Sequence, residues 1–156
     1  MLAAGAATRY GSPKQVELLP SVLAALGRTS IDEVVVVEGA HALVGIHDRV
    51  VRCDAWGDGP GASLRCGLAA LGDGATHALV VLADGPELDP RAVERLLEHA
   101  GDAAVLAASY DGTRSHPVLI ARAAWGSIPD AGGRALAATL VDCSDLTPPG
   151  DVDYQR

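Results

Sequence analysis

Two apolar runs constrain the fold of this chain more than any other feature. Residues 34–37 are an unbroken valine run, and residues 78–83 read ALVVLA. Short continuous apolar runs bounded by turn residues mark strands buried on both faces, as in a parallel sheet covered by helices. Helical spacing fills much of what lies around them. Val16, Leu19, Val22, Leu23 and Leu26 recur near a helical period broken by Pro20, so a helix is predicted from about Ser21, which can cap it. Residues 41–46 are predicted as a short helix, 50–53 as a short strand, and 63–71 as a helix with Leu64, Leu68 and Leu71 on one face. Asp89 and Pro90 have the chemistry of an N-cap and first helical residue, with Val93, Leu96 and Leu97 as the buried face. Residues 103–109 form a third predicted apolar strand, after 34–37 and 78–83. Asp111-Gly112 is a hairpin-type turn that brings 118–120 back to the sheet, and 135–141 are predicted as a short helix. Alternating strands and helices argue a single α/β domain over residues 1–156, three-layered and doubly wound about a mostly parallel sheet.

Charge and cysteine content narrow the function classes. The net charge of −8 argues against a general nucleic-acid surface; a polyanionic ligand would need a local basic pocket, often with a divalent metal. No apolar run approaches the roughly 20 residues that span a bilayer, and no charged segment leads an apolar one as in a signal peptide, so the expected location is the cytoplasm. Cys53, Cys66 and Cys143 lack CxxC spacing and read as reduced thiols, not as a disulfide frame or a zinc site.

Three loops fall where right-handed crossovers place the carboxyl ends of parallel strands, the usual ligand crevice of open α/β sheets. The first follows Leu2, Ala3 and Ala4, the end of a strand that is short for a buried one and is expected to be truncated. It runs through Gly5, Arg9, Gly11 and Pro13 to Lys14, the one lysine of the chain. Glycines allow backbone N–H groups to approach a phosphate, and a lysine among arginines suggests a site wanting a compact point charge. The second loop, residues 54–61, holds three glycines and Pro60 ahead of Ser63, which can cap the helix that follows. The third begins at Asp84, directly after the second buried run, where a carboxylate could hold Mg²⁺ against phosphate oxygens. Phosphoryl chemistry needs positioning and charge stabilisation more than a nucleophilic side chain, and no GxSxG or HExxH is present. Walker A and GxGxxG patterns are absent too.

Taken together, Leu2-Ala3-Ala4-Gly5, Arg9, Gly11, Pro13 and Lys14 resemble the LAAGxxxRxGxPK signature of the MobA-like nucleotidyltransferases. The resemblance continues in order through Ser63, Leu64, Gly67 and Leu68, then Asp84-Gly85-Pro86, His116-Pro117-Val118, the turn with Asp130, Gly132 and Arg134, and Asp151-Val152-Asp153. It covers nearly the whole chain, and the later segments resemble the branch that contains molybdenum cofactor cytidylyltransferase. The resemblance implies a Rossmann-like sheet of the nucleotide-diphospho-sugar transferase type. It implies a Mg²⁺-dependent reaction in which a phosphorylated acceptor, a molybdopterin-type cofactor, takes a nucleoside monophosphate from CTP with release of pyrophosphate. Arg9 and Lys14 would be catalytic. Leu2, Ala3, Ala4, Gly5, Gly11, Asp54, Gly59 and Ser63 would bind the nucleotide. Asp84 and Asp153 would bind metal, and His116 and Arg134 would lie on the acceptor side. A sugar or alditol phosphate as acceptor, and a non-catalytic relative that binds cofactor and delivers it to a molybdoenzyme partner, are the alternatives.

Overall fold

The computed structural model describes residues 1–5, 14–46 and 49–150. Its elements, in order, are α1 (Lys14–Leu26), β1 (Val35–Glu38), β2 (Arg49–Arg52), α2 (Pro60–Ala70), β3 (His77–Val80), α3 (Pro90–Glu98), β4 (Val105–Tyr110), β5 (Thr113–Ala121) and β6 (Thr139–Asp142). One sheet pairs β1 with β2, and a second runs β3-β5-β4-β6. The two are joined by the chain's first residues. Leu2 bridges in parallel to Val37 on one side and Leu82 on the other. Its N–H donates to the Val81 carbonyl at 2.9 Å, its own carbonyl accepts from Ala83 N–H at 3.1 Å, and Ala3 N–H donates to Val37 at 3.0 Å. The short apolar stretch before Gly5 therefore holds the central strand position.

β1 and β2 are parallel, as are β4 and β6, but β5 runs antiparallel to both β3 and β4. Among the described elements β5 is thus the one antiparallel strand, and the other strands run parallel to one another. β5 lies between two strands instead of at the edge, because the tight turn at Asp111-Gly112 returns it along β4.

Side-chain alternation sorts the core onto two faces. Ala78, Val80, Val105, Ala107, Val118 and Ile120 pack with Leu64 and Leu68 of α2. On the other face, Leu106, Ala108 and Leu119 pack with Ala92 and Leu96 of α3. Val81 and Val36 meet the buried side of α1, through Val22 and Leu19 respectively. Among the described residues, no helix is long and apolar enough to cross a membrane.

Several local predictions are corrected. α1 begins at Lys14, not near Ser21, and carries Pro20 inside it. Pro20 is exposed while Leu19 and Val22 are fully buried, so the packed face outweighs the interrupted backbone ladder. Residues 41–46 are irregular, tied down where the Glu38 carboxylate accepts from the Leu43 N–H at 2.8 Å. Residues 135–141 are not helical: a 3-10 turn at Gly133–Ala135 leads into strand β6. Arg114 accounts for part of this, since its guanidinium donates to the Gly133 and Leu136 carbonyls and holds that backbone open. Cys53 and Cys66 form a disulfide, with Cα atoms 5.8 Å apart, instead of remaining separate thiols. Their spacing follows no motif; the end of β2 and the second turn of α2 bring them together. Cys143 is free and buried.

Candidate functional site

Gly5, the loop after β2 and the turn at Asp84 all follow strand ends on the carboxyl edge of the sheet. Ala3 and Ala4 are buried, and Gly5 emerges exposed at the edge. Ala4 is fixed by its carbonyl, which accepts from Ala40 N–H at 3.1 Å just beyond β1. Lys14 is the first residue of α1. Arg9, Gly11 and Asp153 lie outside the described residues.

The second loop is a 3-10 turn, Asp54–Asp58, followed by Gly59 and α2. Trp56 packs over Gly39, so closely that a Cβ at Gly39 would come within 2.6 Å of the Trp56 Cβ. Asp54 is exposed and its carboxylate pairs with Arg52 at 3.2 Å. The helix starts earlier than predicted, with Pro60 as its first residue and Gly59 as a cap without side-chain bonds. Ser63 is consequently not a cap. It is buried within α2, as are Gly61, Ala62 and Leu64, so the exposed residues of the loop are Asp54, Ala55, Gly57, Asp58 and Pro60.

Asp84 stands in the turn after the Leu82 bridge, half-buried. His116 in β5 reaches the same turn. A Cβ on Gly85 would lie 2.7 Å from its Nε2 and Cε1, so Gly85 must lack a side chain for the imidazole to lie there. His116 Nδ1 is buried with no hydrogen-bond partner. Burial pushes the imidazole down to about 4, opposed by the nearby Asp84 carboxylate, so the ring is neutral at pH 7. The tail folds back over this turn: Glu87 N–H donates to the Pro149 carbonyl at 3.0 Å, and Pro149 lies against Gly85.

This imidazole gives a pH-dependent prediction. Unfolded His116 takes up a proton near pH 6.5, whereas the folded protein does so near 4. Unfolding therefore binds protons between those values, so stability falls as pH drops through the window and levels off below it. The shift amounts to on the order of 3 kcal/mol. Denaturant unfolding of wild type and His116→Gln, in chelator, should give stabilities that converge as pH falls from 6.5 to 4. Parallel curves would contradict this assignment.

The structure also joins the Arg134 turn to the glycine loop, a contact that sequence reasoning missed. Arg65 donates to the Ile128 carbonyl at 2.9 Å and pairs with Asp130 at 3.0 Å. Gly61 N–H donates to the Asp130 carbonyl at 2.9 Å. A Cβ on Gly61 would sit 2.1 Å from the Pro129 carbonyl oxygen. Arg134 itself is exposed in the 3-10 turn that follows. Nothing in the sequence marks Arg65, because its partners lie more than sixty residues away.

The described residues contain no cluster of three His, Cys, Asp or Glu able to cage a metal. A lone strand-end carboxylate still fits Mg²⁺, which commonly takes one or two carboxylates and completes its shell with substrate phosphates and water. A cavity of about 620 Å³ lies elsewhere, lined by Met1, Val35, Leu68, His77 and Val81 among others. Neither Gly5, Asp54, Asp84 nor His116 contributes to its lining, so it is separate from this edge.

Comparison with known proteins agrees with this geometry. A family model described as a MobA-like NTP transferase domain matches residues 1–144. Rv0371c of Mycobacterium tuberculosis H37Rv superposes with a TM-score of 0.75 at 27% identity, covering 98% of this chain and 90% of that one. Its homologue from Mycobacterium sp. strain JC1 gives a TM-score of 0.81 at 23% identity, covering 99% and 88%. A nucleotidyl transferase from Methanothermobacter thermautotroptrophicus gives 0.69 at 21% identity, covering 84% and 75%. A sequence comparison with curated proteins found no match.

Proposed function

The chain belongs to the MobA-like NTP transferase family, and from that premise we propose that it transfers a nucleoside monophosphate, from CTP in preference to GTP, to a molybdopterin-type phosphate. The observation that carries this reading is that Gly5, Gly59 and Asp84 all follow strand ends on one edge of the sheet, with the 128–132 turn docked on the start of α2 beside Gly59. In the proposed reaction, a terminal phosphate oxygen of the acceptor attacks the α-phosphorus of the nucleotide. The α–β phosphoanhydride bond breaks and pyrophosphate leaves.

Backbone at Leu2 to Gly5, with Gly11, would receive the base and triphosphate. Asp54 and the backbone of Gly59 would border them, with Ser63 supporting that loop from within α2. Arg9 and Lys14 would neutralise charge gathering on the phosphoryl oxygens. Asp84 would hold the divalent cation, with Asp153 as a further ligand; such an ion, when bound, bridges and neutralises phosphate oxygens. Mg²⁺ is the proposed ion. Rv0371c of Mycobacterium tuberculosis in complex with manganese, 24% identical to this chain, supports a divalent cation here. His116, neutral, would lie on the acceptor side without adding charge. Arg134 would meet acceptor phosphate from the other side. Delivery of the product to a molybdoenzyme belongs to the same proposal.

Pyrophosphate release tests the reading. Release should require CTP, Mg²⁺ or Mn²⁺, and a molybdopterin-type acceptor, and Lys14→Ala should lower it about a hundredfold. Turnover with a sugar or alditol phosphate alone would reassign the acceptor, and equal use of GTP would remove the base preference. Full activity in Lys14→Ala would remove that residue's role.

A further inference from the structure

We propose that the Cys53–Cys66 disulfide is a redox clamp on the nucleotide loop, closed in the oxidised protein and opened by a dithiol reductant. The proposal rests on the nucleotide reading above for its functional consequence, but the clamp itself is read from the fold.

The bond links residues 13 apart, and what it encloses is the second loop: the Asp54–Asp58 turn, Gly59 and the start of α2. Both of its ends are anchored. Cys53 is almost fully buried, and its N–H donates to the Glu38 carbonyl at 2.9 Å at the end of β1. Cys66 packs in the same small cluster, with Ala4, Val37 and Trp56, directly beneath the root of the Gly5 loop. Within the enclosed segment the start of α2 is buried, through Gly61, Ala62, Ser63 and Leu64, whereas the turn before it is not. No residue of the Asp54–Asp58 turn is buried; its packing comes from Trp56, which lies over Gly39 and against Ala4, Val37 and Cys53. A covalent tie across that turn removes conformational freedom that packing alone would leave. It also fixes the first turns of α2, onto which the Asp130 turn docks through Gly61 and Arg65. One bond thus sets the position of both the nucleotide loop and the turn beyond it.

The chemistry balances with a dithiol. One thiolate attacks Sγ of Cys66, the more accessible of the pair, forming a mixed disulfide and releasing the Cys53 thiolate. The reductant's second thiol then displaces Cys66. Two electrons and two protons pass to the protein, which ends with two thiols, and the dithiol becomes a disulfide. Cys143, buried in a different cluster, takes no part.

The test compares oxidised protein, protein reduced with dithiothreitol and then freed of it, and Cys66→Ser. Backbone hydrogen exchange at residues 54–62, melting temperature and CTP affinity are read in each. Reduction should raise exchange at 54–62 about tenfold, lower the melting temperature by about 6–12 °C, and weaken CTP binding about tenfold. Reoxidation should restore all three, and Cys66→Ser should resemble the reduced form and ignore dithiothreitol. Alkylation of both Cys53 and Cys66 in protein purified without reductant would overturn the clamp, as would exchange that ignores reduction. If CTP binds equally in both states while exchange changes, the clamp does not regulate the site and the nucleotide reading stands. If exchange changes but CTP binds neither state, the nucleotide reading fails and with it the proposed consequence.

Discussion

Asp84→Ala should lower metal-dependent nucleotidyl transfer about a hundred- to a thousandfold while leaving the fold intact. Asp84 sits in a turn, half-buried, after a strand whose ladder is made by backbone groups on Leu2, Val81 and Ala83. Those bonds are all backbone, so the strand itself should persist when the carboxylate is removed. Activity is different under the proposed mechanism. A carboxylate that holds a divalent cation against phosphate oxygens contributes to stabilising charge in the transition state, and removal of one such electrostatic contribution costs about this much. Asp84→Asn is the sharper variant. It retains size and turn geometry but loses the charge, and should be nearly as inactive as Asp84→Ala. Pyrophosphate release at saturating CTP, with melting curves on the same samples, checks both halves. Near-normal turnover in Asp84→Asn would show that the charge is not needed.

Gly61→Ala should be the most damaging single-methyl change in the site. Within a helix, glycine to alanine is usually favourable by about 1 kcal/mol. Here the added Cβ would meet the Pro129 carbonyl oxygen at 2.1 Å and the Asp130 Cα at 2.8 Å. Both contacts are backbone, so neither can swing aside as a side chain would. Either the 128–132 turn lifts off α2 or the start of α2 moves, and both outcomes break the Gly61–Asp130 hydrogen bond. A net loss of about 2–4 kcal/mol is expected from such overpacking and the lost bond. Gly57→Ala is the control. No atom lies within 4 Å of a Cβ there, so its effect should stay within about 0.5 kcal/mol. Denaturant titrations of the two variants decide the matter; equal stabilities would mean the turn is not seated on α2.

These contrasts indicate what a sequence can carry. The strand positions were legible because burial on both faces leaves a continuous apolar run, as at residues 35–37 and 78–81. Asp89 and Pro90 were legible for a local reason: the Asp89 carboxylate accepts from the Arg91 N–H two residues away. Its side-chain bond with Arg91 also holds that carboxyl below the usual range. The failures share the opposite property. α1 extends through Pro20 because of distant partners such as Val36 and Ala83, which a local helix rule does not see. Thr139, Leu140 and Val141 form a strand because the free edge of β4 accepts them, overriding the alanine-rich pattern before them. Ser63 looked like a cap because the helix start was placed too late. The disulfide and the Arg65–Asp130 pair join residues whose approach is decided only once β2, α2 and the 128–132 turn have packed. The site divides in the same way. Asp84 could be found from its place after an apolar run, whereas Arg65 and the unpartnered His116 Nδ1 become visible only in three dimensions.

The most direct test of the central claim, that this strand edge is a metal-dependent nucleotide site, is a calorimetric titration of CTP with and without Mg²⁺. One equivalent of CTP should bind wild type only when the cation is present, and Asp84→Asn should bind it at least about tenfold more weakly. CTP binding that is equally tight in chelator, or no binding under either condition, would contradict the account.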